Sequence, residues 1–382
     1  MRSILTLTPL LVLAPACLAQ GIPTERVIGQ MEVVATFHGQ MPTGVTVAND
    51  GRIFVNYPRW ADPVAYTVAE LKNGQEIPYP DAAINRVDMQ HQPDSLLCVQ
   101  SVVVDPTGTR LWLLDTGSVA FAPVTFGGPK LIGIDLKNDR VFKKILLPQD
   151  VALPTTYLND VRFDLHRGKE GMAFITDSST AGPNGIIVID LATGKSWRRL
   201  HNHPSTKADP HFLGAVEGSV LMLRPPGQKA QPFLAGADGI ASSPDGKMLY
   251  YCPLSSRHLY RVSVDALVDQ QRSDAEVAKT VEDLGEKGGA SDGLEADMQG
   301  SVYLSDYEHD SIRRRHADGT IETLVHDPRI LWPDTLSLAA DGYLYFTANQ
   351  LERQPAFNNG EERRQKPYVL FRTRVDGKRI SQ

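Results

Sequence analysis

Cysteine is scarce in this 382-residue chain: Cys17, Cys98 and Cys252 are the only three, and their spacing forms neither a CxxC pair nor a zinc-finger set. That excludes a small disulfide-framed scaffold and a cysteine-held structural zinc. Also missing is an apolar run of about 20 residues, the length a helix needs to cross a bilayer; the best stretch, Ile4 to Ala14, is shorter and is broken by Pro9. No membrane span is therefore expected. Positive charge is not in excess either. With a net charge of -6 and a pI near 5.9, nucleic acid and anionic membranes are poor candidates for the main partner. Long amphipathic helical patterns are absent, apart from short stretches such as Asp265 to Gln270, which argues against an α/β fold.

What is present begins with a leader-like segment. Arg2, the apolar stretch after it and the small residues up to Ala19 read as an export signal over residues 1–19, leaving residues 20–382 as one domain. The expected location is secreted, or periplasmic in a host with two membranes. "LAPAC" before Leu18 is a poor lipidation motif, because Pro15 and Ala14 depart from its pattern. Cys98 and Cys252 lie in apolar runs and read as buried free thiols, although an exported chain permits a disulfide.

The dominant feature is a repeat. "PTGVTVANDGRIFVNY" from Pro42, "VQSVVVDPTGTRLWLLDTG" from Val99 and "LNDVRFDLHRGKEGMAFITDSS" from Leu158 share one plan. "ADGIASSPDGKMLYYCPL" from Ala237, "SDGLEADMQGSVYLSD" from Ser291 and "PDTLSLAADGYLYFTANQ" from Pro333 repeat it. Each is a polar residue, an apolar strand-length run, a Gly/Asp/Asn turn and a second run, which reads as a hairpin. Most copies are followed by two further strand-like runs, such as "KLIGIDL" and "VFKKILL". The pattern predicts an all-β, six-bladed propeller with four-stranded blades. The sixth unit is one strand short and "MEVVATF" at Met31 is a strand without a sheet, so the N-terminal strand is expected to join the last blade and close the ring. Three insertions, Val119 to Pro129, His201 to Ala235 and Leu351 to Lys366, are loops or hairpins placed to cover one end.

In such a ring the residue opening each innermost strand lies at the channel mouth. Thr43, Gln100, Asn159, Asp238, Asp292 and Asp334 are thereby brought together, with Tyr57, Asp115, Asp177, Asp306 and Asn349 arriving from the second strands. Like charges at one mouth call for a cation or a donor-rich ligand. The all-oxygen set Asn159, Asp238 and Asp292 suits a hard divalent ion such as calcium; a metal-free polar site using Thr43, Gln100, Asp334 and Asn349 and a purely structural network are the other readings. No organic cofactor is implied. "GASDG" at Gly289 is no nucleophile elbow, because a strand follows Ser291 where a helix is required. His201, His203 and His211 read as a solvated loop, and "RRR" at Arg313 as a solvated strand. Trp60 and Trp332 are candidates for walling a pocket.

"PTGVTVANDGRIFVNYPRW", "LWLLDTG", "YLNDVRFD", "FITDS", "GIIVIDLATGKSWRRL" and "DPRILWPDTLSLAADGYLYFTANQL" resemble the yellow and major royal jelly protein family, over about Met31 to Val375. The resemblance implies a secreted six-bladed propeller, with members tied to catechol pigment chemistry or to binding of biogenic amines. A more distant likeness to gluconolactonase and regucalcin propellers implies a channel cation, held here by Asn159, Asp238 and Asp292. In that reading the protein is a metal-dependent lactonase or esterase, with Asp292 as ligand and catalytic base. That group places a Glu in the first blade where this chain has Thr43. The expectation favoured here is a binder of a small polar or aromatic molecule at the channel mouth, and the lactonase is the alternative.

Overall fold

In the computed structural model, which describes residues 26–381, the predicted leader and Cys17 lie outside the described residues. Six antiparallel four-stranded sheets form a six-bladed propeller. Blade 1 comprises Gly44–Val47, Ile53–Asn56, Val68–Lys72 and Gln75–Pro78, and blade 2 comprises Val99–Val104, Arg110–Asp115, Lys130–Asp135 and Arg140–Leu146. Blade 3 is built from Leu158–Asp164, Met172–Asp177, Gly185–Asp190 and Ser196–Arg199; blade 4 from Ala237–Ser242, Met248–Pro253, His258–Ser263 and Glu282–Glu286. Blade 5 contains Ser291–Ala296, Val302–Asp306, Ser311–Arg315 and Ile321–His326. Pro333–Leu338, Tyr343–Ala348 and Tyr368–Arg374 form blade 6, and Glu32–Phe37 pairs antiparallel with Tyr368–Arg374 as its outermost strand. The ring closes as the unpaired N-terminal strand required.

The side-chain alternation of a strand explains why the ring holds. In Met172–Asp177, Met172 and Phe174 enter the core shared with blade 4, while Ala173 and Ile175 enter the core shared with blade 2. Likewise Leu111 and Leu113 face blade 1, and Trp112 and Leu114 face blade 3. A middle strand is thus buried on both faces, so its sequence reads as a continuous apolar run. Six separate apolar clusters result, one at each blade interface. The outermost strand of blade 2, "RVFKKIL", is mostly exposed and charged, which blunts its free edge.

Two of the three insertions cover one end on the side of blades 4 to 6, while the 119–129 segment bonds the Arg59 and Pro154 carbonyls beside blades 1 to 3. The segment from 201 to 235 carries two short hairpins, Ala215–Val216 with Ser219–Val220 and Met222–Leu223 with Gln231–Pro232. It is tied to the 351–366 segment through Arg224 N–H to the Ala356 carbonyl (2.8 Å), Asn359 N–H to the Arg224 carbonyl (3.0 Å) and the edge-to-face pair Phe233–Phe357. Their apolar residues Phe212, Val216, Leu221 and Phe357 merge into the core between blades 6 and 1. The short helix expected at Asp265 is Val264–Val268, and a second helix, Asp274–Ala278, follows with a Ser273/Glu276 capping box that the sequence reading overlooked. "RRR" is not a solvated strand: Arg313 is paired with Asp306, and Arg314 with Glu322 and Asp376. Among the described residues, no helix is long and apolar enough to cross a membrane.

Candidate functional site

The innermost strands do not start regularly. Register shifts fall between Val99 and Ser101, Leu158 and Val161, Ala237 and Ile240, Ser291 and Leu294, and Pro333 and Leu336. Five blades therefore carry an irregularity at the position where the repeat places its polar residue, and such bulges re-aim side chains. Glycine follows the acid in "ADG" and "SDG" for a steric reason. A Cβ on Gly239 would lie 2.4 Å from the Asp292 carbonyl oxygen, and one on Gly293 would lie 2.5 Å from that of Asp334. Adjacent innermost strands approach each other closely there.

Asp238, Asp292 and Asp334 form the centre of the site. Asn159 Nδ2 donates to Asp238 Oδ1 at 2.5 Å, Trp332 Nε1 donates to Asp292 Oδ2 at 2.7 Å, and Asn349 Nδ2 donates to Asp334 Oδ2 at 2.8 Å. Among the described residues, no Lys, Arg or His side chain forms a salt bridge with any of the three acids. Burial raises all three carboxyls. Asp292 is pushed up to about 6, with the donors Trp332 and Asp238 opposing the effect of burial. Asp238 is held well above the usual range by burial and then by the charges of Asp292 and Asp334; Asp334 is raised by burial and then by Asp292. The Asp238 and Asp292 carboxyls are close enough to share a hydrogen bond.

The other predicted residues sit around this trio. Gln100 Oε1 accepts from the Tyr157 hydroxyl at 2.9 Å, and Tyr157 in turn accepts from Trp60 Nε1 at 2.5 Å. Phe121, 62% exposed, packs on both Trp60 and Tyr157, so an aromatic wall runs from solvent to Gln100. Trp332 is fully buried and stacked on Tyr307 with ring centroids 4.2 Å apart. Thr43 is fully buried, and its Oγ1 accepts from Asn56 Nδ2 at 2.9 Å.

The second-strand acids have a different task. Asp115 accepts from the Leu97 and Cys98 N–H groups and pairs with Lys130 at 2.9 Å, both side chains wholly buried. Asp177 accepts from Tyr157 N–H and pairs with Arg198, while Asp306 pairs with Arg313. In blades 2 and 3 these carboxylates clamp the chain entering the innermost strand. Asn349 alone reaches the trio, and the Tyr57 hydroxyl donates to Glu76.

Asp160 and Arg162 escaped the sequence reading. In the third column of the opening motif Gly44, Gly239 and Gly293 alternate with Ser101, Asp160 and Thr335, and that departure from glycine was the available signal. Ser101 Oγ donates to Asp160 Oδ1 at 2.6 Å, and Arg162 binds Asp160 Oδ2 at 2.9 Å. Deeper in the channel, Arg162 Nη2 reaches from blade 3 to the Leu294 carbonyl of blade 5 at 2.7 Å. At the far end, Arg379 donates to the carbonyls of Val47, Val104 and Asp105, closing over a small cavity that Arg162 and Glu295 also line.

Other motifs gave less. Ser291 opens a strand, with its hydroxyl buried and unpartnered, and His203 Nδ1 accepts from the Ser205 N–H within its own loop. Cys98 and Cys252 are buried free thiols. Among the described residues, no group of three or more His, Cys, Asp or Glu side chains is arranged to hold a metal ion.

Comparison with known proteins places this geometry in a lineage. The chain is 28% identical over 248 residues to Protein yellow of Drosophila erecta and of Drosophila melanogaster, covering 61% of this chain and 43% of each relative. It thus spans less than half the length of these curated relatives. The fold is shared with the calcium-binding protein regucalcin from Agrobacterium tumefaciens (TM-score 0.54, 14% identity, 91% of this chain and 97% of that one). A putative gluconolactonase gives a TM-score of 0.55 at 12% identity, covering 92% and 94%. The family model described as Major royal jelly protein matches residues 97–374, from the entry to blade 2 through the last strand of the ring. The chain belongs to the major royal jelly protein family.

Proposed function

We propose that the protein is an exported binder of a small amine or catechol-like aromatic molecule, seated at the mouth of the central channel. The observation that carries this reading is the trio Asp238, Asp292 and Asp334: three buried carboxyls whose hydrogen-bond donors are Asn, Trp and Thr side chains and not basic ones. A ligand ammonium would supply the missing positive charge. The wall of Trp60, Phe121 and Tyr157 would take a ring by stacking, and the Gln100 amide would orient a ring hydroxyl. Thr43 and Asn349 act from behind, through Asn56 and Asp334. Export rests on the leader-like residues and on the family resemblance.

Isothermal titration with tyramine and with catechol tests the reading. Saturable tyramine binding, weakened about tenfold or more in Asp334→Asn, is the expected result. No heat from either compound at millimolar concentration in the wild type would overturn it.

A second reading has a specific observation in its favour: Asn159, Asp238 and Asp292 present only oxygen and amide groups, the donor chemistry of a calcium site. These three residues would hold the ion, which when bound would polarise a lactone or ester carbonyl and lower the pKa of a water. The fit is incomplete. Asn159 turns its amide nitrogen to Asp238, one oxygen of Asp292 is taken by Trp332, and Thr43 is turned away to Asn56. Elemental analysis of the purified protein decides: about one divalent ion per chain would favour this reading, and an empty protein with no thermal shift in calcium would end it.

A further inference from the structure

The two insertions enclose a second cleft of about 600 Å³, lined by Val216, Glu217, Leu221, Arg224, Glu352 and Phe357 among others. None of the channel acids lines it. Most of its charges cancel in pairs: Arg353 binds Glu217, Arg363 binds Glu361 at 2.7 Å, and Arg364 binds Glu362 and Asp62. One acid and one base are left over. Glu352 is 8% exposed, and neither of its carboxyl oxygens has a hydrogen-bond partner. Arg353 Nε stands 3.7 Å from Oε1, but that guanidinium is committed to Glu217. Arg224 donates only to carbonyl oxygens, those of Val220, Met222 and Phe357, at 3.1 to 3.3 Å.

A buried carboxyl without a donor is costly, and a site that keeps one is completed by what binds there. An unmatched acid and an unmatched base on the walls of one cleft are the complement of a ligand with one positive and one negative group. We infer that this cleft binds a free α-amino acid with an apolar side chain, its ammonium on Glu352, its carboxylate on Arg224 and its side chain against Val216, Leu221 and Phe357.

Proton linkage adds a signature. Burial first, then the charges of Glu217 and Asp310, push the Glu352 carboxyl up to about 8 against the opposing effects of its own backbone N–H and of Arg353. At pH 7 the free protein therefore keeps this proton, with Glu217 as the neighbour that can accept its hydrogen bond. An arriving ammonium releases it to solvent.

The test is calorimetry with L-leucine, 3-methylbutylamine, which lacks the carboxylate, and 4-methylpentanoate, which lacks the ammonium. Titrations at pH 7 in two buffers of different ionisation enthalpy count the protons released. Leucine should bind the wild type about tenfold or more tighter than either analogue, with net proton release. Glu352→Gln should bring leucine down to the level of 4-methylpentanoate, and Arg224→Leu to that of the amine. Asp292→Asn should leave leucine binding unchanged, which separates this cleft from the channel mouth. Leucine binding no tighter than its analogues would overturn the inference. So would full affinity in a Glu352→Gln protein with wild-type circular dichroism, since the carboxyl would then serve only to share a proton with Glu217.

Discussion

Replacing Asp292 by Asn should make the protein more stable at neutral pH and leave it unchanged in acid. The side chain is 8% exposed, and its carboxyl is raised from 3.8 to about 6, chiefly by burial. A folded-state pKa above the unfolded value means that folding favours the protonated form. The associated stability is fully present below about pH 4 and is lost as pH rises through 6. A rise of about two units at ~1.4 kcal/mol each predicts that ionised Asp292 costs about 3 kcal/mol at pH 7.5. The Asn side chain keeps an acceptor for Trp332 Nε1 and carries no charge, so the variant escapes that cost. Urea unfolding of both proteins at pH 4 and pH 7.5 measures it. The curves should coincide at pH 4 and separate by about 3 kcal/mol at pH 7.5, on the order of 4 °C in Tm for a chain of this size. A variant less stable than wild type at pH 7.5, or an equal gap at both pH values, would refute the reasoning. The pattern expected is that of a binding site holding charge at the expense of stability.

Lys130→Met leaves Asp115 wholly buried beside an apolar side chain, and the loss should be about 3–5 kcal/mol in urea unfolding. Gly239→Ala puts a methyl group 2.4 Å from the Asp292 carbonyl, so blades 4 and 5 must separate; a cost of about 1–3 kcal/mol and a disturbed channel mouth should appear in thermal melts and in ligand titration together. Arg379→Ala removes the donors that join the C-terminal residues to blades 1 and 2, and hydrogen exchange should rise at residues 376–381 while the blade cores stay protected. Phe121→Ala should weaken tyramine binding by about 1 kcal/mol without moving the melting temperature, because its ring is exposed.

The propeller was legible because a strand buried on both faces between turn residues has few other uses, and "ADGIASSPDGKMLYYCPL" says so as plainly as "SDGLEADMQGSVYLSD". Ring closure was legible from one strand too many and one too few. The position of Asp238, Asp292 and Asp334 followed from the repeat, since rotation about an axis brings equivalent residues together. Their partners did not follow. That Asp115 clamps Leu97 and Cys98 and leaves the channel free depends on Lys130, distant in the chain but its direct register partner on the neighbouring strand. Arg162 bonds a carbonyl of a blade two positions on, a contact that no local pattern encodes. Glu352 looks like an ordinary surface acid in "NQLERQ" until two insertions fold over it.

The guanidinium of Arg162 lies across the channel below the three acids, and that of Arg379 lies across its far end. Two guanidiniums thus cross the channel on the side of the acids away from the aromatic wall. A ligand of the proposed kind, entering at the aromatic wall, would meet Arg162 beneath the acids and would leave past the same rings. On the proposed reading, a larger molecule would present only its tip to the acids, with the rest outside, and an amine tethered to a surface or a polymer would fit as readily as a free one.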